Sequence, residues 1–225
     1  MSFLPRLGND DAEATHWPVF SDVALSMFFI ILLYLVVQFF DLDKLVAMQR
    51  VQERQAEIDS LLHTEVPKQY KPDVTVTTLD PYRQKLTFSA DVLFPICEAS
   101  LTNRGRDLLV AVGKALGSRA GYFEAVQIEG HTDKTPIGGQ RDCPYASNWE
   151  LSSQRATTVV RLLIDRGDLR PATLSAIGRA EFHPVPGAEG NDLASLARNR
   201  RIEVTLQYSD AVPTDSSAAL NDQRP

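Results

Sequence analysis

The sequence predicts an α/β domain, in which helices cover one face of a mixed β-sheet, behind a single N-terminal transmembrane helix. The first observation is that the run from Val23 to Phe40 carries no charged residue. The second is that segments with strand-like and helix-like periodicity follow one another after Asp73, which is the pattern of a sheet covered by helices. A chain of 225 residues, 44% of them hydrophobic, is long enough for one ordinary globular domain and an anchor.

The early apolar segment is predicted to be a transmembrane helix over residues 17–40. Its uncharged part is eighteen residues long, and about that length of apolar helix suffices to cross the hydrocarbon core. A cleaved signal peptide is the competing interpretation. No pattern of small residues typical of a cleavage site follows in residues 38–43. We therefore expect a retained anchor, preceded by a short cytoplasmic N-terminus over residues 1–16.

Asp22 is the most informative single residue, because it lies inside this apolar segment. A charged side chain in a membrane costs roughly 2.5–3.5 kcal/mol on insertion scales, so an intramembrane acid is by default a candidate proton or ion site. Ser26, four residues further on the same helical face, is predicted to bond to the carboxylate and to belong to the ion site. The alternative is an acid near the helix end that reaches the membrane interface. The coupled ion, proton or sodium, stays open.

Residues 41–72 are predicted to form a juxtamembrane helix and a linker. The stretch from Asp41 to Val66 contains neither Gly nor Pro, and it is expected to stay helical until Pro67. Its apolar positions follow a weak heptad pattern that Arg54 interrupts. Two interpretations remain open: an amphipathic helix that lies on the next domain, or a short helix for dimerisation or for plugging a channel.

Residues 73–208 carry the pattern of the α/β domain. Strands are recognised by apolar and polar residues in alternation, and helices by apolar residues at spacings of three and four. Strands are expected at residues 74–79, 84–94, 123–129, 173–177 and 202–208, and helices at residues 101–116, 150–164 and 193–199. Residues 209–225 are rich in Ser, Ala, Asp and Pro, and are expected to be disordered.

Composition excludes several classes of function. The net charge of −6 argues against a nucleic-acid partner held by a general positive field. The sequence shows no nucleophile beside a base, no cluster of metal ligands and no glycine loop for phosphate. An enzyme, a metal and a cofactor are therefore not expected. His131 is the one residue that invites a catalytic interpretation, and a role in ordering the end of a strand is favoured over it.

Three motifs occur in order along the domain. They are Gly130-His131-Thr132-Asp133 at the end of a strand, Asn148-x-x-Leu151-Ser152-x-x-Arg155-Ala156 at the start of a helix, and Asn199-Arg200-Arg201 before the last strand. Together they resemble the peptidoglycan-binding C-terminal domain of OmpA, over roughly residues 86–208. The proline at position 136 and the segment 147–152 resemble the MotB branch in particular. With an acid in its membrane span, the chain looks like the B subunit of a proton- or sodium-driven stator.

The resemblance implies a site for the peptide stems of peptidoglycan, which carry carboxylates and, with diaminopimelate, a free ammonium group. Arg155 is expected to bind a carboxylate through its forked guanidinium, and Asp133 to bind the ammonium. Asn148 is either a ligand contact or the N-cap of its helix. Leu151 belongs to the binding motif, where it is expected to pack. Arg201 is expected to add a supporting positive charge unless it lies on a solvated face.

The two cysteines of the chain, Cys97 and Cys143, lie in the domain that the resemblance places in the periplasm. Disulfides form and persist in that oxidising compartment. The sequence does not establish the distance between the two residues. A disulfide and two free thiols therefore remain alternatives.

The N-terminal region departs from flagellar stator subunits, which usually carry a basic tail and a longer connector. Here residues 1–16 lean acidic and the connector is short. These departures make the chain resemble ZorB, the MotB-like subunit of the Zorya anti-phage defence system. That resemblance implies a homodimer bound to peptidoglycan inside a pentameric MotA-like (ZorA-type) subunit, with ion flow through the membrane. A flagellar stator subunit and a passive tether between inner membrane and wall are the alternatives.

The resemblance also implies a single-pass protein of the inner membrane, with its N-terminus in the cytoplasm and its C-terminal domain in the periplasm. The positive-inside rule alone slightly favours the opposite orientation. Lys44, Arg50 and Arg54 follow the span, whereas Arg6 is the only basic side chain before it. We give the resemblance precedence, because the OmpA-like motifs require access to the cell wall.

Overall fold

The computed structural model describes residues 17–137 and 143–210. It confirms a mixed α/β fold with an N-terminal apolar helix. The chain divides between Ala47 and Met48 into two compact units. The predicted cytoplasmic segment over residues 1–16 lies outside the described residues, and so does the predicted disordered tail beyond Asp210.

The first unit contains the N-terminal portion of α1, a helix that runs from Trp17 to Glu65. Within the described part of the chain, it is the one helix long and apolar enough to cross a membrane. The mean hydropathy of its most apolar 18-residue window is 2.6. Its large apolar side chains from Phe20 to Phe39 are exposed, as are Leu42, Leu45 and Val46, which is the pattern of a lipid-facing helix. The predicted span therefore lies inside a helix of suitable length and composition.

Ser26 and Asp22 interact differently from the prediction. The hydroxyl of Ser26 donates a hydrogen bond to the main-chain oxygen of Asp22 at 2.8 Å, and not to its carboxylate. A serine within a helix readily donates to the carbonyl four residues back, which explains the difference. The Ser26 hydroxyl therefore acts on the helix backbone.

The second unit begins with the C-terminal part of α1, which packs against the globular domain. Val51, Ile58 and Leu62 are buried in the domain core. Glu57 accepts a hydrogen bond from Arg119 at 2.7 Å. This is the first of the two predicted alternatives, an amphipathic helix that lies on the next domain. The compact unit consequently starts within this helix rather than after it.

A five-stranded mixed sheet forms the middle of the domain. Its strands are β1 (Val74–Asp80), β2 (Arg83–Ser89), β3 (Phe123–His131), β4 (Leu174–Gly178) and β5 (Arg201–Tyr208). Their spatial order is β1-β2-β5-β3-β4. β3 and β4 are parallel, and the other neighbouring strands are antiparallel. Parallel neighbours need a long crossover connection, which a helix supplies here.

Helices cover one face of this sheet. They are α2 (Ala90–Leu93), α3 (Asn103–Gly117) and α4 (Asn148–Gly167), whereas the short α5 (Leu193–Asn199) immediately precedes β5. α4 connects β3 to β4 and packs on both, while α3 packs on α4. Alternate strand residues such as Val126 and Ile128 point into the core between sheet and helices.

The predicted strand over residues 84–94 is shorter than expected. It ends at Ser89, and the single turn of α2 follows. The turn is anchored at both ends, because the amide of Ala90 donates to the oxygen of Arg200 at 2.9 Å and that of Phe94 donates to the oxygen of Ala90 at 2.8 Å. It redirects the chain toward the start of α4.

Phe123 faces the core, although strict alternation predicts it opposite Val126. The pairing of β3 with β5 shifts register between Phe123 and Ala125. Such an irregularity adds one residue to a strand and changes which face the earlier side chains occupy. Phe123 therefore packs edge-to-face on Tyr208, with ring centroids 5.3 Å apart.

Gly130 and Gly178 allow α4 to approach the sheet closely. A Cβ atom at Gly130 would overlap the main-chain oxygen of Ser152, and one at Gly178 would overlap the side chain of Ser153. Glycine within a strand often marks such a close approach of another backbone. The absence of side chains at both positions brings the start of α4 against the end of β3.

Candidate functional site

A cavity of about 480 Å³ opens where the loop after β3, the first turns of α4 and the segment after α2 meet. The residue that precedes β5 completes the wall. Among the residues predicted to bind peptidoglycan, the structure brings together Asp133, Asn148, Leu151 and Arg155. The side chain of Leu151 is buried in the wall, which is the packing role expected for it.

Arg155 is a buried cation, with only 5% of its surface exposed. Its Nε donates to the oxygen of Glu98 at 2.8 Å, and a terminal nitrogen donates to the oxygen of Pro95 at 3.1 Å. The guanidinium also lies 5.1 Å from the ring centre of Phe94. Burial lowers the pKa of Arg155 to about 10, which leaves it charged at neutral pH. Within the described residues, no carboxylate forms an ion pair with it.

Asp133 is paired with Arg200 in the wall of the cavity. One carboxylate oxygen accepts from Arg200 at 2.7 Å, and the other accepts from the amide of Thr135 at 2.8 Å. Burial alone would raise the pKa of Asp133, but the hydrogen bonds from Arg200 and Thr135 outweigh it and lower the pKa. Arg200 also binds both oxygens of Asp91, at 2.8 and 2.6 Å.

These four side chains give the cavity both signs of charge without a large excess of either. Arg200 is neutralised by Asp91 and Asp133, and Arg155 remains for a carboxylate from elsewhere. A ligand ammonium would have to share Asp133 with Arg200. The arrangement therefore offers a carboxylate one uncompensated cation, and offers an ammonium group a carboxylate that Arg200 already shares. In the described ranges, no cluster of three or more His, Cys, Asp or Glu residues could hold a metal ion.

Asn148 is not an N-cap. An N-cap at Asn148 would require the helix to begin at residue 149. α4 begins one residue earlier, so that Ser147 takes the cap position and Asn148 is the first helical residue. The Asn148 amide donates to the main-chain oxygens of Asp133 at 3.3 Å and of Thr135 at 3.2 Å. Asn148 thus fixes the loop that presents the Asp133 carboxylate.

Arg201 lies outside the cavity, and its neighbour Arg200 lies in the wall. The Arg201 side chain binds Glu203 at 2.7 Å and the main-chain oxygen of His183 at 3.1 Å. Arg201 is the first residue of β5 and Arg200 the residue before it, and their side chains point in different directions, so that only Arg200 lines the site. The paired motif predicts an arginine here, but the register that would distinguish the two residues is not readable from the motif alone. Arg201 is buried, whereas Arg200 is partly exposed and is engaged in ion pairs.

His131 is buried at the end of β3 and does not line the cavity. Its Nε2 lies 3.8 Å from the carboxylate of Glu129 and 4.0 Å from that of Glu203. Burial and the nearby charge of Arg201 lower the pKa of His131 to about 4, so the ring is neutral at pH 7. This position favours the structural interpretation over the catalytic one.

Cys97 and Cys143 are joined by a disulfide, with Cα atoms 5.3 Å apart. Cys97 lines the cavity and lies next to Glu98, whose oxygen binds Arg155. Cys143 belongs to the connection between β3 and α4. The disulfide therefore ties together two segments that border the site.

Replacing both Cys97 and Cys143 by Ser should lower the free energy of unfolding by roughly 3–5 kcal/mol, because the bond closes a loop across a separation of 46 residues. Affinity for cell-wall fragments should fall as well. Urea titration of the full chain in detergent, with and without reductant, measures the first effect. If reductant lowers the midpoint of the double variant as much as that of the original chain, the disulfide is not the source of the difference.

Comparison with known proteins identifies the domain. The sequence profile described as the OmpA family matches residues 93–207, just over half of this chain. Motility protein B of Bacillus subtilis is 36% identical over 88 residues, which are 39% of this chain and 32% of that protein. The chain spans half or less of the length of the curated relatives that it matches.

Solved structures show the same fold. A MotB-like protein from Desulfovibrio vulgaris superposes with a TM-score of 0.63 at 21% identity, covering 75% of this chain and 99% of that one. The cell wall anchor of the type VI secretion system from Pseudomonas aeruginosa gives a TM-score of 0.52 at 33% identity, covering 61% and 90%.

Proposed function

This chain belongs to the OmpA family, and from that premise we propose that it is the cell-wall-anchored B subunit of an ion-driven, stator-type motor in the bacterial inner membrane. Its globular domain binds peptidoglycan, and the apolar part of α1 carries an ion path. The identity with Motility protein B supports membership of the stator class. The identity with a cell wall anchor supports attachment to the wall.

The observation that carries the binding proposal is the buried, charged Arg155. A buried cation is expensive to desolvate unless it is paired, and the carbonyl oxygens of Pro95 and Glu98 satisfy only part of its donors. The carboxylate of a peptide stem supplies the missing partner. Asp133 stands across the cavity as the acceptor for the ammonium group of diaminopimelate, while Asn148 holds its loop in place.

The ion path depends on Asp22. A carboxyl group in a membrane is far less costly when a proton or cation neutralises it, so ion binding and release changes the preferred position of the helix against its partner. In this proposal Ser26 lines the same helical face. Two copies of this chain lie inside a pentameric MotA-like subunit, which turns around the wall-bound homodimer.

The chain accordingly has a cytoplasmic segment over residues 1–16, a span over residues 17–40, and a connector over residues 41–72 that leads to a periplasmic domain over residues 73–208. The task of the motor in this proposal is anti-phage defence, as for ZorB of the Zorya system. The acidic-leaning composition of residues 1–16 and the short connector support this choice over a flagellar role.

A passive tether between inner membrane and wall is the second candidate. It is favoured by one observation, the 33% identity with the cell wall anchor of a secretion system. A tether needs the cavity of Arg155 and Asp133 but no ion path. The two candidates therefore make the same prediction for wall binding and different predictions for Asp22.

Co-purification with the neighbouring multi-span membrane protein tests the assembly directly. Full-length chain in detergent should co-sediment with purified murein sacculi, and imaging of the complex should show two copies of this chain with five of the partner. Failure to sediment with sacculi would contradict wall anchoring. If the chain sediments normally with sacculi but purifies without the multi-span protein, the passive tether is the function that remains.

A further inference from the structure

Trp149 and Phe182 form an exposed aromatic pair beside the cavity. Their rings stack with centroids 5.5 Å apart and planes inclined by 28°. The two residues are 50% and 60% exposed, so solvent reaches the outer side of the stack. Aromatic side chains contribute most when they are covered. Two of them, stacked side by side at the surface, form a candidate binding surface.

The pair is held in place from both sides. Trp149 is the second residue of α4, and Phe182 lies in the loop after β4. Ser152 connects the two segments, because its hydroxyl donates to the main-chain oxygen of Trp149 at 3.1 Å and accepts from the amide of Ala180 at 3.1 Å. A surface that is already ordered loses little entropy when a ligand binds.

The pair also continues the rim of the cavity. Trp149 directly follows Asn148, which lines the cavity, and consecutive Cα atoms are about 3.8 Å apart. On the other side, the amide of the cavity residue Thr132 donates to the oxygen of Ala180 at 3.0 Å, two residues before Phe182. A ligand that leaves the cavity over the start of α4 therefore approaches the segments that carry the two aromatic rings.

We propose that Trp149 and Phe182 bind the glycan strand of peptidoglycan by stacking against a sugar ring, an inference that rests on the proposed binding of a peptide stem in the cavity. The faces of aromatic rings are electron-rich, and the C–H bonds on one side of an amino-sugar ring present weakly positive hydrogens to them. The stem is covalently attached to the glycan. Three extended residues of stem reach about 10 Å, so the sugar that carries the stem lies within that distance of its diaminopimelate.

The area of the pair fits a sugar better than a protein. Aromatic residues bury roughly 150–250 Å² each when fully covered, so two half-exposed ones offer about 200 Å². A stable protein contact needs about 800 Å² on each partner. Two flat rings of this size match one or two sugar rings.

The test compares two probes on the full chain in detergent: a free stem peptide that contains diaminopimelate, and the same peptide attached to its disaccharide. Isothermal titration should give a Kd about tenfold lower for the disaccharide form. Trp149→Ala should remove that preference and leave the Kd of the free peptide unchanged. Trp149→Phe keeps a flat ring and should retain part of the preference. Leu193→Ala, at an apolar residue that is 85% exposed, is the matched control and should retain all of it.

Each other outcome has a definite meaning. Equal Kd values for both probes would overturn the glycan subsite and leave the proposed function intact. Binding of neither probe would remove the proposed function and the subsite with it. If Trp149→Ala weakened both probes equally, the pair would only shape the cavity, and the inference would be wrong. Altered self-association in sedimentation, with the preference for disaccharide unchanged, would assign the pair to a protein contact instead.

Discussion

Asp22→Asn is expected to reduce ion flux to the background of the bilayer while leaving expression and membrane insertion intact. Asn has nearly the size of Asp, but its amide does not take up and release a proton. The variant therefore keeps the helix and loses the carrier. Vesicles that contain the chain and its partner subunit, loaded with a proton- or sodium-sensitive dye, measure the flux and identify the ion.

Glu65→Gln is the matched control for this experiment. Glu65 is the last residue of α1, it is exposed, and it lies well beyond the apolar segment. Its neutralisation should leave the flux unchanged. Full flux through the Asp22→Asn variant would exclude the ion-carrying role and would favour the passive tether.

Arg155→Ala should weaken binding to murein sacculi by about 10- to 100-fold. Hydrogen bonds to charged groups contribute roughly 1.5–3 kcal/mol each, and about 1.4 kcal/mol corresponds to a factor of ten. Arg155→Lys keeps the charge but loses the planar fork, so its affinity should lie between that of the unchanged chain and that of Arg155→Ala. Co-sedimentation over a range of sacculus concentrations measures all three.

Arg161→Ala separates the effect of the site from that of the helix. Arg161 lies on α4 like Arg155, but its side chain is exposed, and its loss should change sedimentation little. The melting temperature must be measured as well, because Arg155 also binds the oxygens of Pro95 and Glu98. Unchanged sedimentation of a folded Arg155→Ala variant would place the ligand elsewhere on the domain.

Much of this molecule follows from local sequence pattern. The strand and helix periods predicted the order of the elements, and α5 was predicted with the bounds that the structure shows. The short motifs also predicted one site for Asp133 and Arg155, and both residues line the same cavity. These features can be predicted from sequence because a turn, a cap or an apolar face is encoded within a few neighbouring residues.

The parts that could not be predicted depend on distant segments. Whether Arg200 or Arg201 enters the cavity depends on the register of β5, which its pairing with β3 establishes. Asn148 serves the loop after β3 because α4 starts one residue earlier than the cap pattern suggested. The partnership of Asp133 with Arg200 joins residues 67 positions apart. No local pattern reports such contacts.

The covalent link between Cys97 and Cys143 gives the domain a dependence on the side of the membrane where it folds. In an oxidising compartment the disulfide cross-links the two segments that border the cavity, whereas a reducing cytosol keeps cysteines as thiols. A domain that folded in the cytosol would therefore keep two thiols in place of the disulfide. The cross-link at the edge of the cavity thus depends on the compartment in which the domain folds.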